Sequence, residues 1–313
     1  MKRKLYISFL FIIIVALGYG QQDVTFSQYT FDKMLINPAY AGSSKWLVGS
    51  VKNRTQFSTI EGVPQSNILT FQAPIQIKNI GVGVKILQDK IGVTNNFVGT
   101  AQFSYHIGFG KGKLSFGLEG GVINSNYNYD PLIKVNNETA DPAIPIGYQS
   151  IILPDFATGI FYNHEKFYVG GSVQHLVNFK KTIPGFNHNA YYFQDMNYYM
   201  TAGYYFEIKR DYILEPSMVV KYVYGVLPQA DVNLMFTVID KFSAGISYRS
   251  FDAVMAMLKF DITKNLKIMY SFDYTISPLS NYFRGGCHEI GISYGIELLP
   301  PPVEKVIHPR YYF

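Results

Sequence analysis

The stretch FVGTAQFSYHI-GFGKG-KLSFGLEGGVI, residues 97–123, decides the fold. In 97–107, Phe97, Ala101, Phe103, Tyr105 and Ile107 share one face, and Val98, Thr100, Gln102, Ser104 and His106 share the other. In 113–123, Leu114, Phe116, Leu118 and Val122 oppose Lys113, Ser115, Gly117 and Glu119. Such period-two alternation marks strands whose two faces meet different surroundings. The glycine-rich link between them makes the pair a hairpin. Similar patterns recur near 46–56, 67–75, 79–87, 155–163, 167–173, 198–208, 214–224, 230–238, 242–249, 253–261, 266–273 and 288–297, giving fourteen strands in all.

The connections between these strands sort by parity. Those after even strands are tight and polar, as in Asn163-His164-Glu165-Lys166, Lys209-Arg210-Asp211 and Thr263-Lys264-Asn265. Those after odd strands are generally longer and include 124–154 and 174–197. A sandwich has no reason to sort its loops this way, whereas a transmembrane barrel places odd and even connections on opposite sides of the membrane. The expectation is an all-β transmembrane antiparallel barrel of about fourteen strands, with short periplasmic turns and long extracellular loops.

Composition agrees. The 313 residues include 26 Tyr, 24 Phe and 27 Gly but a single Trp, which favours strands over helices. The mean hydropathy of +0.05 is far too low for a bundle of apolar helices. The N-terminus reads as a secretory signal over residues 1–20: Lys2, Arg3 and Lys4, then the apolar run Leu5 to Leu17, then Gly18 and Gly20 before Gln21. Its removal takes three of the 27 basic residues, leaving 24 against 22 acidic, so +5 becomes +2 and gives no argument for nucleic acid. Cys287 is the sole cysteine, so no internal disulfide is available.

Charges fall on the polar face of many strands: Lys52, Arg54, Lys85, Glu119, Glu207, Lys221, Asp231, Arg249, Lys267, Asp273 and Glu289. Facing lipid, each would cost up to roughly 2–4 kcal/mol at the midplane. They are therefore expected to face the lumen, as a salt-bridge network filling it or, less simply, as a selectivity lining. Aromatics of the long loops, Tyr127, Tyr129, Tyr191, Tyr192 and Phe193, could form a binding surface or lids folded into the mouth. Catalytic, cofactor and metal sites are not expected. The six histidines and one cysteine show no ligand grouping. Ser104 and His106 share a face at i, i+2, but that face should be luminal, and nothing selects a nucleophile.

Gln28-Tyr29-Thr30-Phe31, followed by Leu35-Ile36-Asn37-Pro38-Ala39-Tyr40-Ala41-Gly42-Ser43, resembles the opening signature of the PorP/SprF family, outer-membrane proteins of type IX secretion and gliding motility in Bacteroidota. The resemblance continues through Gly81-Val82-Gly83, Gln88 to Gly92, Leu153-Pro154-Asp155, Val169 to Leu176, Tyr199 to Tyr204, Glu215-Pro216-Ser217, Asp231 to Leu234, Ser247-Tyr248-Arg249 and His288-Glu289-Ile290. Small departures occur at Asp32, Lys33 and Asp155. The resemblance implies a fourteen-stranded barrel, partnership with the periplasmic ring of the secretion system, and service to secreted cargo bearing a C-terminal sorting domain. It implies no catalysis.

The expected organisation is a signal peptide at 1–20, a periplasmic or luminal segment at 21–45, the barrel at 46–297 and a periplasmic tail at 298–313. Candidate partner-binding residues are Asn37, Pro38, Ala39, Tyr40 and Gly42 in the opening signature, and Arg310, Tyr311, Tyr312 and Phe313 in the tail. Segment 28–43 has two readings of equal weight: it plugs the barrel, or it docks a partner. The expected role is export or surface anchoring of secreted proteins through protein–protein contacts, with a passive diffusion channel as the alternative. Outer-membrane lipid is the expected surround.

Overall fold

The computed structural model describes residues 23–57, 62–75, 79–130, 147–179, 181–182, 191–192, 194–209, 211–239, 241–278 and 285–298. Fourteen antiparallel strands form one closed ring. They are β1 (Trp46–Gln56), β2 (Gln65–Ile75), β3 (Ile80–Ile91), β4 (Thr94–Phe109), β5 (Gly112–Asn128), β6 (Tyr148–His164) and β7 (Phe167–Gln174). The second half comprises β8 (Asn197–Tyr204, resuming as Phe206–Lys209), β9 (Tyr212–Val223), β10 (Gln229–Val238), β11 (Phe242–Arg249), β12 (Ala253–Asp261), β13 (Leu266–Thr275) and β14 (Cys287–Glu297). Each strand pairs with its sequence neighbours, and β1 closes on β14 with Trp46 opposite Glu297 and Gln56 opposite Cys287. Closure gives every strand of the ring a partner on both sides, as a lipid surround requires, although β6 outruns its ladder with β7 beyond Thr158.

The amphipathicity is that of an inside-out protein. Phe103, Tyr105, Phe116, Leu118 and Ile292 are 45–62% exposed, forming an apolar outer wall. Their alternates Gln102, Ser104, Ser115 and Glu119 are at most 5% exposed and point inward. Of the eleven charges expected inside, nine are buried, and Glu207 and Lys267, toward the short-turn end, are not.

Loop parity holds with two exceptions. Even connections are 76–79, 110–111, 165–166, 210–211, 239–241 and 262–265, all at the end that also carries Trp46 and Glu297. Among odd connections, 129–147 and 175–196 are long, but 92–93 and 250–252 are short. Alternation ended the third strand near 87 and began the fourth near 97. The hairpin in fact continues in register to Ile91 opposite Thr94, turning at Gly92 with φ +55°. Residues 88–96 are mostly polar on both faces, so they carry no alternation to read.

Residues 23–45 run along the lumen rather than beneath the barrel. Three single turns of 3-10 helix, Ser27–Thr30, Lys33–Leu35 and Pro38–Tyr40, descend from the long-loop end to the short-turn end. Gly42, at φ +63°, lies against Gly81 and the Ala73 carbonyl, where a Cβ has no room. The chain then enters β1.

Leu118, 62% exposed near the middle of β5, tests the assignment of faces. Leu118→Arg is expected to lower the unfolding free energy by about 2–4 kcal/mol in a lipid bilayer. Urea titration of folded and unfolded species on a gel measures it, and an unchanged midpoint would mean that this face does not meet lipid.

Candidate functional site: the luminal segment and its vestibule

Glu289 anchors the outer half of the segment. Its carboxylate accepts the backbone N–H groups of Ser27 at 2.8 Å and Gln28 at 3.0 Å. Arg54 bridges Glu289 at 3.2 Å and Asp273 at 2.7 Å, and the Ser27 hydroxyl donates to Asp273 at 2.8 Å. All five of these wall and segment residues are under 5% exposed. A buried charge this poorly hydrated persists only when paired and hydrogen-bonded. The segment's backbone supplies two of the donors, because the first N–H groups of a short helical turn have no internal partner.

Lower down, the wall supplies donors to the segment's free carbonyls. Ser104 Oγ donates to Ala41 O at 2.6 Å, Ser172 Oγ to Ile36 O at 2.5 Å, and Gln174 Nε2 to Leu35 O at 3.2 Å. Asn37 works both ways. Its Oδ1 caps the turn by accepting from Ala39 N–H at 2.9 Å, and its Nδ2 donates to the Ile160 and Gly171 carbonyls at 3.0 and 3.2 Å. Such bonds are each worth about 0.5–1.5 kcal/mol net, but leaving their buried partners unmet costs more. The close approach depends on wall glycines. A Cβ at Gly81 would strike the Ala41 carbonyl, one at Gly117 the Ala39 amide, and one at Gly159 the Asn37 Oδ1.

The three departures from the family signature are ion-paired. Asp32 meets Lys52 at 2.7 Å. Lys33 approaches Glu215 at 3.6 Å and sits 4.4 Å above the Tyr168 ring. Asp155 meets His175 Nδ1 at 2.8 Å, and His175 Nε2 reaches Asp23 at 2.8 Å, which also accepts from Asn197. Burial pushes the His175 imidazole down, but the two carboxylates outweigh it and raise it to about 10. Burial likewise pushes the Asp23 carboxyl up, yet His175, then Lys221 and Lys85, hold it well below the usual carboxylate range. Asp23 is thus latched at the long-loop end.

Above the segment is a vestibule of about 360 Å³. Its floor is the apolar cluster of Phe26, Leu35, Ile36, Ile68 and Tyr199. Tyr127 and Tyr192 line it from the loop side, and Tyr192 is buried against Ile123, Ile151 and Leu153. These loop aromatics therefore fold into the mouth. The side chain of Tyr191 and the whole of Phe193 lie outside the described residues.

Of the expected partner-binding residues, Asn37, Pro38 and Ala39 are almost wholly buried against the barrel wall, and Tyr40 packs edge-on to Phe161 at 5.3 Å. Together with Gly42 they meet the wall of their own barrel, which is the plugging arrangement. Arg310, Tyr311, Tyr312 and Phe313 lie outside the described residues, as do 1–22. The Ser104–His106 pair exists, at 3.1 Å, but its hydrogens run the wrong way for a nucleophile. Ser104 donates to Ala41 O, so it accepts from His106 Nε2–H, and His106 Nδ1 then accepts from Ser115 at 2.7 Å. Among the described residues, no group of three or more His, Cys, Asp or Glu is placed to hold a metal ion. The His175 latch was not foreseen, because its partners stand 20 and 152 positions away in sequence.

The chain belongs to the PorP/SprF family of type IX secretion system membrane proteins, whose family model matches residues 18–294. No curated protein matches it in sequence. Among solved structures it is similar to the CymD monoaromatic hydrocarbon channel, at 13% identity and TM-score 0.52, covering 92% of this chain and 97% of that one. It is also similar to a deletion mutant of the TodX monoaromatic hydrocarbon channel, at 11% identity and TM-score 0.51, covering 88% and 95%. The toluene transporter TbuX of Ralstonia pickettii gives 10% identity and TM-score 0.50, covering 85% and 93%. At these identities the likeness is one of fold alone, an antiparallel β-barrel.

The latch makes a signed pH prediction. His175 gains protons on folding, so its stabilisation is full below its ordinary value of 6.5 and is lost as pH rises toward about 10. Asp23 loses protons on folding, so its stabilisation is full above its ordinary value of 3.8 and is lost on acidification. The stability difference between the wild type and His175→Gln is therefore expected to be largest between about pH 4 and 6.5 and to shrink steadily up to pH 10. Urea midpoints at pH 5, 7 and 9.5 measure it. A difference that grows with pH would contradict the latch.

Proposed function

We propose that this barrel serves type IX secretion as a plugged outer-membrane scaffold, supporting export or surface anchoring of secreted proteins through protein–protein contacts. Family membership supplies the system, and the filled lumen supplies the mode of action. A segment of more than twenty residues, fixed to the wall by buried ion pairs and backbone-directed hydrogen bonds, leaves the central path to solute obstructed. Work on cargo then falls to the long loops, and contact with the periplasmic ring falls to the short-turn end and to residues 298–313. Cargo would be read by its C-terminal sorting domain, with aromatics left exposed at the long-loop end, such as Tyr224 and Phe251, as anchors, since aromatic side chains dominate such interfaces.

The seating of Asp23 at the long-loop end supports removal of residues 1–20. With short turns facing the periplasm, as is usual for these barrels, an uncleaved leader would have to emerge outside the cell. Mature protein is accordingly expected to begin at Gln21.

Deletion of the gene, followed by proteomics of the cell surface and medium, tests the role. Loss of a few large surface proteins is expected for a dedicated exporter or anchor, and loss of all sorting-domain cargo for a core component. An unchanged surface with slowed uptake of small solutes would favour the diffusion channel instead. The same proteome reports the N-terminal peptide of this chain, and a retained Met1 would contradict cleavage.

Conductance in planar bilayers tests the plug separately. The wild type is expected to be silent. Gly81→Val, whose side chain displaces the Ala41 carbonyl from the wall, is expected to produce discrete openings. Stable large openings in the wild type would overturn the plugged scaffold.

A further inference from the structure

One buried carboxylate on the vestibule wall has no cation among the described residues. Asp89 is 6% exposed and lines the cavity, and it accepts from the Ser66 hydroxyl at 2.6 Å. The other buried carboxylates there are matched: Asp155 by His175 at 2.8 Å, and Glu119 by Lys85 at 2.7 Å. Asn96 stands directly opposite Asp89 across the β3–β4 ladder and also lines the cavity. Its Oδ1 is buried with no donor among the described residues, and so is Oε1 of Gln194, which also lines the cavity. Around one cavity, two amide oxygens thus lack a donor, and the Asp89 carboxylate, which accepts from Ser66, lacks a cation among the described residues. Buried polar atoms in folded proteins are rarely left so, and each one asks for a partner.

The next luminal residues inward are apolar. Ile68 follows Ser66 on β2, Leu87 precedes Asp89 on β3, and Val98 follows Asn96 on β4. The register sets Ile68 opposite Leu87, and Leu87 opposite Val98. A polar arc therefore lies directly above an apolar arc, and Phe26 of the luminal segment adds to the apolar side. The cavity is large enough, at about 360 Å³, for a small organic molecule.

We infer that the vestibule binds a small amphipathic primary amine, its ammonium on Asp89 and Asn96 and its apolar body on Ile68, Leu87, Val98 and Phe26. An ammonium carries three donors and no acceptor, which is what this set of groups lacks. It also brings the positive charge that a buried carboxylate requires. A neutral alcohol satisfies one acceptor and no charge, and a quaternary ammonium brings charge but no donor. The site is independent of which cargo the barrel serves.

Titration calorimetry on the full mature chain in lipid nanodiscs tests this, with empty nanodiscs as the blank for partitioning into lipid. The probes are phenethylamine at pH 7, 2-phenylethanol and phenethyltrimethylammonium. Phenethylamine is expected to bind saturably, one per barrel, at least tenfold more tightly than either of the others. Asp89→Asn is expected to weaken it at least tenfold and to leave 2-phenylethanol unchanged. Asn96→Leu, which removes an acceptor and keeps the carboxylate, should weaken it several-fold and serves if Asp89→Asn does not fold. Equal binding of the three probes, amine binding indifferent to both substitutions, or no saturable binding would each overturn the assignment.

Discussion

A closed strand ring in lipid must turn its polar face inward, and the interior of this one is too crowded with charge to be left empty. Arg54, Asp273 and Glu289 sit together at 4%, 1% and 0% exposure. Their mutual pairing leaves carboxylate lone pairs unmet, and the backbone N–H groups of Ser27 and Gln28 meet them. The rest of the architecture follows from that requirement. The wall needs the segment to complete its electrostatics, and the segment, which has only single helical turns of its own, needs the wall to satisfy its backbone.

Wall and segment are matched in shape as well as charge. Gly81, Gly117 and Gly159 let the segment's backbone reach the strands, while Ser104, Ser172 and Gln174 wait at the same places with donors. Pro38 starts a turn that Asn37 caps, so the local conformation is set before the wall is met. The short fragments that carry the family signature lie scattered along the chain. In the fold, Gly81, Ser172, His175, Glu215 and Glu289 from those fragments are brought around residues 23–41. The signature is thus largely a description of how the lumen is filled.

Much of the barrel was legible in the sequence. Each strand has one apolar and one polar face, and a period of two survives in a single chain without alignment. Strand ends were less legible. Residues 88–96 and 124–128 continue the ladders, but they are mostly polar on both faces and carry no alternation to read. The luminal segment was visible as a motif, but its position was not, because 3-10 turns leave no periodic trace. The His175 latch and the Asp89–Asn96 pairing arise only on closure and register, and neither partner announces the other in sequence. Charges such as Lys52 and Glu119 were placed correctly indoors by the cost of putting them in lipid. That argument could not say that Lys52 would meet Asp32 of the segment rather than a strand neighbour.

The central claim is that the N-terminal segment is an integral part of the folded barrel. Amide hydrogen exchange of the mature protein in nanodiscs tests it most directly, read at Ser27, Gln28 and Ala39, whose N–H groups are bonded to Glu289 and Asn37. The account predicts that these amides exchange as slowly as those of β13 and β14. Exchange within seconds at these three, with the strands still protected, would show that the barrel stands without its plug.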